Sequence, residues 1–294
     1  MIPFCVSAPA EISHRLLKRL GRLKLIFQFA LVRAKSPREA VRLFYYAGLK
    51  ASLVHRGWVN YSPERILRFS TRISPGTTFQ VHARDNATDP ETFAEFFSSQ
   101  YEIIPPELPP MEPRVIYDLG ANVGIASLYF AARYPQAAFY GFEPVPMNFE
   151  VCSLNYRNLA NARAFPWAVG AHSGVASFEM SATDLRGGRL TGCPPPPEGV
   201  LDRRIEVQVF TVPDLLKRQQ LPAPDFLKVD VEGAEADVLI GLGDQCPSIK
   251  RMLVETHGPK LELACLEWLR EHRFVVRHAH SAAPGFSSIW ADRI

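Results

Sequence analysis

Apolar residues recur at spacings of three and four through Leu16, Leu20, Leu23, Phe27 and Leu31, with Arg15, Lys18, Arg19 and Arg22 between them. That pattern predicts an amphipathic basic helix over residues 12–32. A second helical stretch runs from about Pro37 to Leu53. Residues 65–84 alternate as one or two strands do, with a turn at Ser74-Pro75-Gly76. Thr88-Asp89-Pro90-Glu91 reads as a helix start, because it combines a capping side chain, a first-turn proline and an acid at the positive dipole end. That helix turns Phe93, Phe96 and Phe97 inward. The proline-rich run 105–113 suits neither a helix nor a central strand. It is a stiff connector and the expected domain boundary, with a basic helical extension and lead-in over 1–104 and a larger domain over 114–294.

Beyond the connector, strand and helix patterns alternate. Strands are expected near 114–119, 138–143, 163–169, 225–231, 250–255, 273–280 and 286–292. Helices are expected near 123–133, 146–158, 212–219, 233–242 and 259–271. Strands separated by helices imply an α/β fold with a mostly parallel, seven-stranded sheet and helices on both faces. The last two strands are separated only by Ala283-Pro284-Gly285, which implies a terminal antiparallel hairpin. Residues 171–211 break the alternation. They hold two strand-like runs, Val175 to Met180 and Ile205 to Phe210, around Gly187-Gly188 and the proline tract 193–199. Such an insertion on the ligand-binding edge is either a disordered loop or a lid over a substrate.

Composition narrows the setting. The 294 residues can hold one large α/β domain with an extension or two small domains, and 47% hydrophobic content is ordinary for a globular protein. Five scattered cysteines without Cys-x-x-Cys spacing argue for a reducing, cytoplasmic compartment. Met1 to Ala10 lacks a basic n-region, so no signal peptide is expected, and Leu23 to Val32 is too short to span a bilayer. The net charge of +3 conceals an asymmetry: residues 1–60 hold eleven Lys and Arg against two acids, and the remainder is mildly acidic. The acidic body argues against a nucleic-acid channel. The basic helix reads either as a cap with a solvated face or as a surface for anionic lipid or an acidic partner. Oligomeric state is not set by the sequence.

The chemistry gathers where the run Val115-Ile116-Tyr117-Asp118 meets Leu119-Gly120-Ala121-Asn122-Val123-Gly124 and a helix begins at once. A strand ending in a glycine turn before a helix offers unpaired N–H groups and bare backbone to a ligand. The next strand ends in Glu143, placed to accept hydrogen bonds from a ribose. The middle glycine of a dinucleotide turn is replaced by Asn122, and Asp118 would repel a pyrophosphate. An acid there suits a cationic ligand, which points to S-adenosylmethionine. The plain alternative is a structural aspartate and glycines in an ordinary strand–helix turn. No Walker-type phosphate loop or Asn-Pro-Pro-Tyr run is present.

Four blocks resemble the FkbM family of S-adenosylmethionine-dependent methyltransferases: Val115 to Gly124; Gly141-Phe142-Glu143-Pro144-Val145-Pro146 with Asn155 and Asn158; Phe226-Leu227-Lys228-Val229-Asp230-Val231-Glu232-Gly233-Ala234-Glu235; and Leu253-Val254-Glu255. The likeness covers about residues 84–260. It implies a class I, Rossmann-like methyltransferase that methylates a hydroxyl on a sugar or natural product. Asp118, Gly120, Asn122, Gly124, Glu143 and Asp230 would hold the cofactor, with adenine near Ala168 and Val169 by fold analogy. An alcohol must also lose its proton. Asp230, Glu232 and His257 are the catalytic candidates, His257 as general base because an unperturbed imidazole titrates near neutrality. Alternatively, Asp230, Glu232 and Glu255 hold a Mg²⁺ that acidifies the hydroxyl, a reading not favoured. The competing readings are a nicotinamide-dependent oxidoreductase and a catalytically inactive binding protein on the same fold.

Overall fold

The computed structural model describes residues 9–74, 77–97, 104–180, 189–190, 203–243 and 247–294. The chain divides into two compact units, Met1–Tyr101 and Glu102–Ile294, so the proline-rich connector belongs to the second.

The first unit starts with α1 (Pro9–Arg33), α2 (Pro37–Phe44), a π-helical turn (Tyr45–Leu49) and α3 (Lys50–His55). Ser36 starts α2 by accepting from the backbone N–H of Glu39, with Pro37 in the first turn. A long antiparallel hairpin follows, β1 (Ser62–Ser74) with β2 (Thr77–Asp85), and then α4 (Asp89–Phe97). Pro75 and Gly76 of the expected turn lie outside the described residues. Phe29, Leu43, Phe69, Phe93 and Phe97 are buried. Two buried ion pairs brace this unit. Arg84 clamps Asp89 through both carboxylate oxygens at 2.8 and 2.9 Å, and Lys50 pairs with Asp85.

The second unit runs β3 (Val115–Leu119), α5 (Ile125–Arg133), β4 (Ala138–Phe142), α6 (Pro146–Tyr156), β5 (Ala162–Phe165) and β6 (Trp167–Val169). It continues with β7 (Gly174–Met180), β8 (Arg189–Leu190), β9 (Arg203–Phe210), α7 (Val212–Arg218), β10 (Phe226–Val229) and α8 (Glu235–Leu242). The end is β11 (Arg251–Glu255), α9 (Pro259–Glu271), β12 (Phe274–Ala283) and β13 (Phe286–Arg293). Seven strands form the main sheet in the order β12-β13-β11-β10-β3-β4-β5. Strands β11, β10, β3, β4 and β5 run parallel, and β13 runs antiparallel between β12 and β11. This is the α/β sheet with a terminal hairpin that the pattern predicts. Every residue of β10 is buried, as expected of a central strand covered on both faces.

The chain steps outward from β3 to β5 and then returns to β10 on the other side of β3. Right-handed crossovers in opposite directions put α5 and α6, which pack together, on one face and α7, α8 and α9 on the other. The reversal between β3 and β10 is a switch point, where a crevice opens at the carboxyl ends of the strands.

One expected strand is divided. Residues 163–169 do not continue as a single element, because Pro166 offers no N–H to a sheet ladder. Segment β5 stays in the main sheet, and β6 enters a second sheet of order β6-β9-β7-β8. The described parts of 171–211 are therefore mostly strand, with β7 antiparallel to β9 and β9 parallel to β6. Val145, Ala168, Phe178, Met180, Val207 and Val209 form the core of this sheet. Gly187-Gly188 and the proline tract fall outside the described residues.

Candidate active site

The glycine loop between β3 and α5 is shaped by crowding. Gly120 has φ +75°, and a Cβ there would lie 1.8 Å from the backbone oxygen of Asp230. Only glycine lets the ends of β3 and β10 come this close. The N–H groups of Gly120 and Ala121 both donate to the Phe142 carbonyl at 3.0 Å, which ties the loop to the end of β4. Asn122 also has positive φ, +49°, and its N–H donates to Glu143 Oε2 at 2.8 Å. The other oxygen of Glu143 accepts from Val145 N at 2.9 Å and Asn148 Nδ2 at 3.2 Å. Glu143 is thus a buried carboxylate that joins the glycine loop to the start of α6.

Above these strand ends opens a cleft. Gly120, Asn122 and Glu143 line it beside Ala168, Val169 and Phe178, and Asp230 and Glu232 form another part of the wall. Seven sequence candidates therefore share one cavity. Asn122 Oδ1 is buried without a hydrogen-bond partner, which leaves an acceptor for a ligand. Asp118, Gly124, Glu255 and His257 are not among the lining residues.

The placement of Asp118 changes the electrostatic argument. Asp118 is buried behind the cleft, accepts from Ser127 Oγ at 2.8 Å and lies 3.2 Å from Lys228 Nζ. Lys228 pairs with it, and Asp118 is not among the residues that line the cleft. Burial works against the Lys228 ammonium, yet Asp118, Asp230 and Glu255 outweigh it and hold the group protonated well above its usual range. The carboxylates that do face the cleft are Asp230 and Glu232. Burial opposes ionisation of Asp230, but Lys228, 3.0 Å away, and His257 bring its pKa below the usual value.

His257 does not titrate near neutrality as an unperturbed imidazole would. Its Nδ1 donates to Glu235 Oε1 at 3.0 Å, and its Nε2 lies 3.4 Å from Glu232 and 3.8 Å from Asp230. Burial pulls its pKa down, but the bond to Glu235 and the charges of Glu232 and Asp230 raise it to about 10. His257 is a cation set behind two cavity carboxylates. Glu232 stands in a left-handed conformation, φ +54°. Burial, with Asp230, Glu235 and Glu255 adding and His257 opposing, raises its pKa to about 8. Burial likewise raises Glu255 to about 7.

The metal candidates regroup as well. Among the described residues, single ligand atoms of Asp230, Glu232 and His257 lie within 4.8 Å of one another, and Glu255 is not in that set. A protonated His257 and Lys228 already supply two cations to these acids, and Mg²⁺ favours oxygen donors. The donor set fits an internal salt-bridge network better than Mg²⁺. Three residues at the site have no role that the sequence alone assigns: Glu235, Asn148 and Phe178. Glu235 lay within a motif block, fully buried and bonded to both His257 and Gly233 N. Nothing in the sequence shows which face of its strand Phe178 presents.

The family model described as methyltransferase FkbM domain matches residues 118–276. Methyltransferase sdnD of Sordaria araneosa is 30% identical over 215 residues, which cover 63% of this chain and 83% of that protein. The 31-O-demethyl-FK506 methyltransferase FkbM of Streptomyces tacrolimicus is 29% identical over 196 residues, 55% of this chain and 73% of that protein. Hexuronic acid methyltransferase AglP of Haloferax volcanii is 28% identical over 149 residues, 50% of this chain and 57% of that protein.

Proposed function

The chain belongs to the methyltransferase FkbM family, and on that premise we propose that it is an S-adenosylmethionine-dependent O-methyltransferase acting on a hydroxyl of a sugar or natural-product small molecule. The observation that carries this reading is one cleft with Glu143 at the end of β4 and Asp230 and Glu232 beyond the end of β10. The first acid suits a ribose and the second pair suits a cation, as a sulfonium nucleoside requires. Asn122 Oδ1 adds an unpartnered acceptor for an ammonium. S-adenosylmethionine supplies an electrophilic methyl on positively charged sulfur.

The protein's own part is to bind, align and deprotonate. Glu143 holds the ribose hydroxyls, and Ala168, Val169 and Phe178 give the adenine an apolar seat. Asp230, kept ionised by Lys228, favours the cationic end of the ligand. Ionised Glu232 takes the acceptor's proton, because it faces the cleft with its pKa raised to about 8 and is thereby made a stronger base. His257 holds Glu232 and Asp230 in position. Most of the rate comes from keeping the hydroxyl in line with the methyl. The 31-O position in the name of one relative supports transfer to an oxygen of a small molecule, and the hexuronic acid in the name of another supports a sugar acceptor. A reducing, cytoplasmic setting accords with the buried free thiols Cys152 and Cys265.

Calorimetric titration with S-adenosylmethionine and, separately, NADH tests the reading on wild type and Glu143→Ala. Micromolar S-adenosylmethionine binding that collapses in the variant supports it. Binding of NADH alone overturns it.

A further inference from the structure

No helix among the described residues is long and apolar enough to cross a membrane, yet the first unit presents an unusual outer surface. Helix α1 buries Ile26, Phe29 and Ala30 on one side. Its opposite side, at the helical spacing 24, 27, 28 and 31, presents Phe27 at 48% exposure and Leu31 at 59%, with Val32 at 65% beside them. The patch extends onto α2, where Phe44 packs edge-on against Phe27 at 5.3 Å and Val41 is 70% exposed. Scattered exposed apolar residues are ordinary; large ones adjoining across two helices are not.

The charges around this patch are of one sign. Lys24, Lys35 and Arg38 are exposed, and among the described residues none pairs with an acid. Arg22, by contrast, is taken up by Glu91 and Glu95. The only acid between residues 21 and 60 is Glu39, which is bonded to Arg42. An apolar helical face rimmed by uncompensated cations is complementary to a layer with an apolar interior and an anionic surface. These side chains project from the faces of two helices, where an apolar layer can receive them. We propose that the face formed by α1 and α2 docks the chain on an anionic lipid bilayer, with Phe27, Leu31, Val32 and Val41 entering the interface and Lys24, Lys35 and Arg38 meeting the headgroups.

The test is co-sedimentation of the full chain with vesicles of phosphatidylcholine alone and of phosphatidylcholine mixed with phosphatidylglycerol. Two variants accompany it, Phe27→Ser/Leu31→Ser and Lys24→Glu/Lys35→Glu/Arg38→Glu. All five positions are exposed, so circular dichroism melting serves as the folding control. The wild type is expected to bind only the anionic vesicles and to be released by salt. Each lost basic residue lowers the partition coefficient about fivefold, so the triple variant falls by roughly 100-fold or more. The double serine variant loses binding while keeping its basic residues. No vesicle binding by the wild type overturns the proposal, as does binding that survives both variants. A concentration-dependent dimer abolished by Phe27→Ser/Leu31→Ser would assign the face to a second copy instead, and would also overturn it.

Discussion

Lys228 on β10 stands opposite Asp118 on the neighbouring parallel strand, its ammonium 3.2 Å from that carboxylate and 3.0 Å from Asp230. One buried cation thus links a structural acid to a cavity acid. Replacing it leaves two carboxylates in a site built for three charges. Lys228→Met should lower the unfolding free energy by about 3–5 kcal/mol. Adding Asp118→Asn should restore part of the loss by removing one orphaned charge. Urea denaturation of both variants measures this, and equal stability of the single variant and wild type would refute it.

The raised pKa of His257 makes stability depend on pH. The imidazole titrates near 10 in the folded chain against 6.5 unfolded, so its contribution is complete below 6.5 and is lost as pH rises toward 10. Glu232 and Glu255, raised from 4.5 to about 8 and 7, act in the same direction between pH 4.5 and 8. Stability should fall with rising pH through this window. His257→Gln should flatten the slope above pH 6.5 by up to ~1.4 kcal/mol per pH unit. Denaturant melts across that range provide the slopes.

Glu232 is the proposed proton acceptor. With a hydroxyl substrate in hand, Glu232→Gln should lower kcat by roughly 10²–10⁴-fold and leave S-adenosylmethionine affinity nearly unchanged. Because the His257 cation holds the Glu232 pKa down, His257→Gln should move the acid limb of the pH–rate profile upward. A limb that stays put would remove His257 from its positioning role.

Glu143 tests the cofactor directly. Its loss should weaken S-adenosylmethionine binding by roughly 30- to 1000-fold, equivalent to about 2–4 kcal/mol. Since Glu143 also holds Asn122 N and Val145 N, the titration needs a melting curve beside it. Retained affinity in a folded variant would place the ribose elsewhere.

Gly120→Ala should be among the costliest single changes in the second unit. The added Cβ meets a backbone oxygen that no rotamer can move, at φ +75°. Left-handed strain alone is about 1–2 kcal/mol, and the clash adds to it. A drop of less than about 1 kcal/mol in a denaturant titration would contradict the close approach of β3 and β10.

The central strands were legible because each is buried on both faces and reads as an apolar run, Val115 to Leu119 and Phe226 to Val229 being the clearest. Helices α6 and α9 carry a helix-start proline in the sequence, Pro146 and Pro259. What could not be read depended on partners distant in the chain. The sequence offers Asp118 to a ligand but does not show its lysine partner, which sheet register alone brings beside it. His257 was judged by an unperturbed pKa, although Glu235, Glu232 and Asp230 converge on it only after folding. The second sheet was hidden because β6 finds its partner β9 across a long intervening segment. Pro166 was in plain view, but its meaning required knowing that the strand had somewhere else to go.

That division of one strand gives the protein two separately adjustable parts. Residues up to Phe165 belong to the sheet that carries the acids and the glycine loop, while the described strands between Trp167 and Phe210 build another sheet whose Phe178 reaches the same cleft. A chimaera exchanging only the segment after Pro166 would redraw one wall of the cleft and leave the acidic edge intact. In such a fold, new substrate ranges can be acquired by replacing a cassette, without reinventing the reaction.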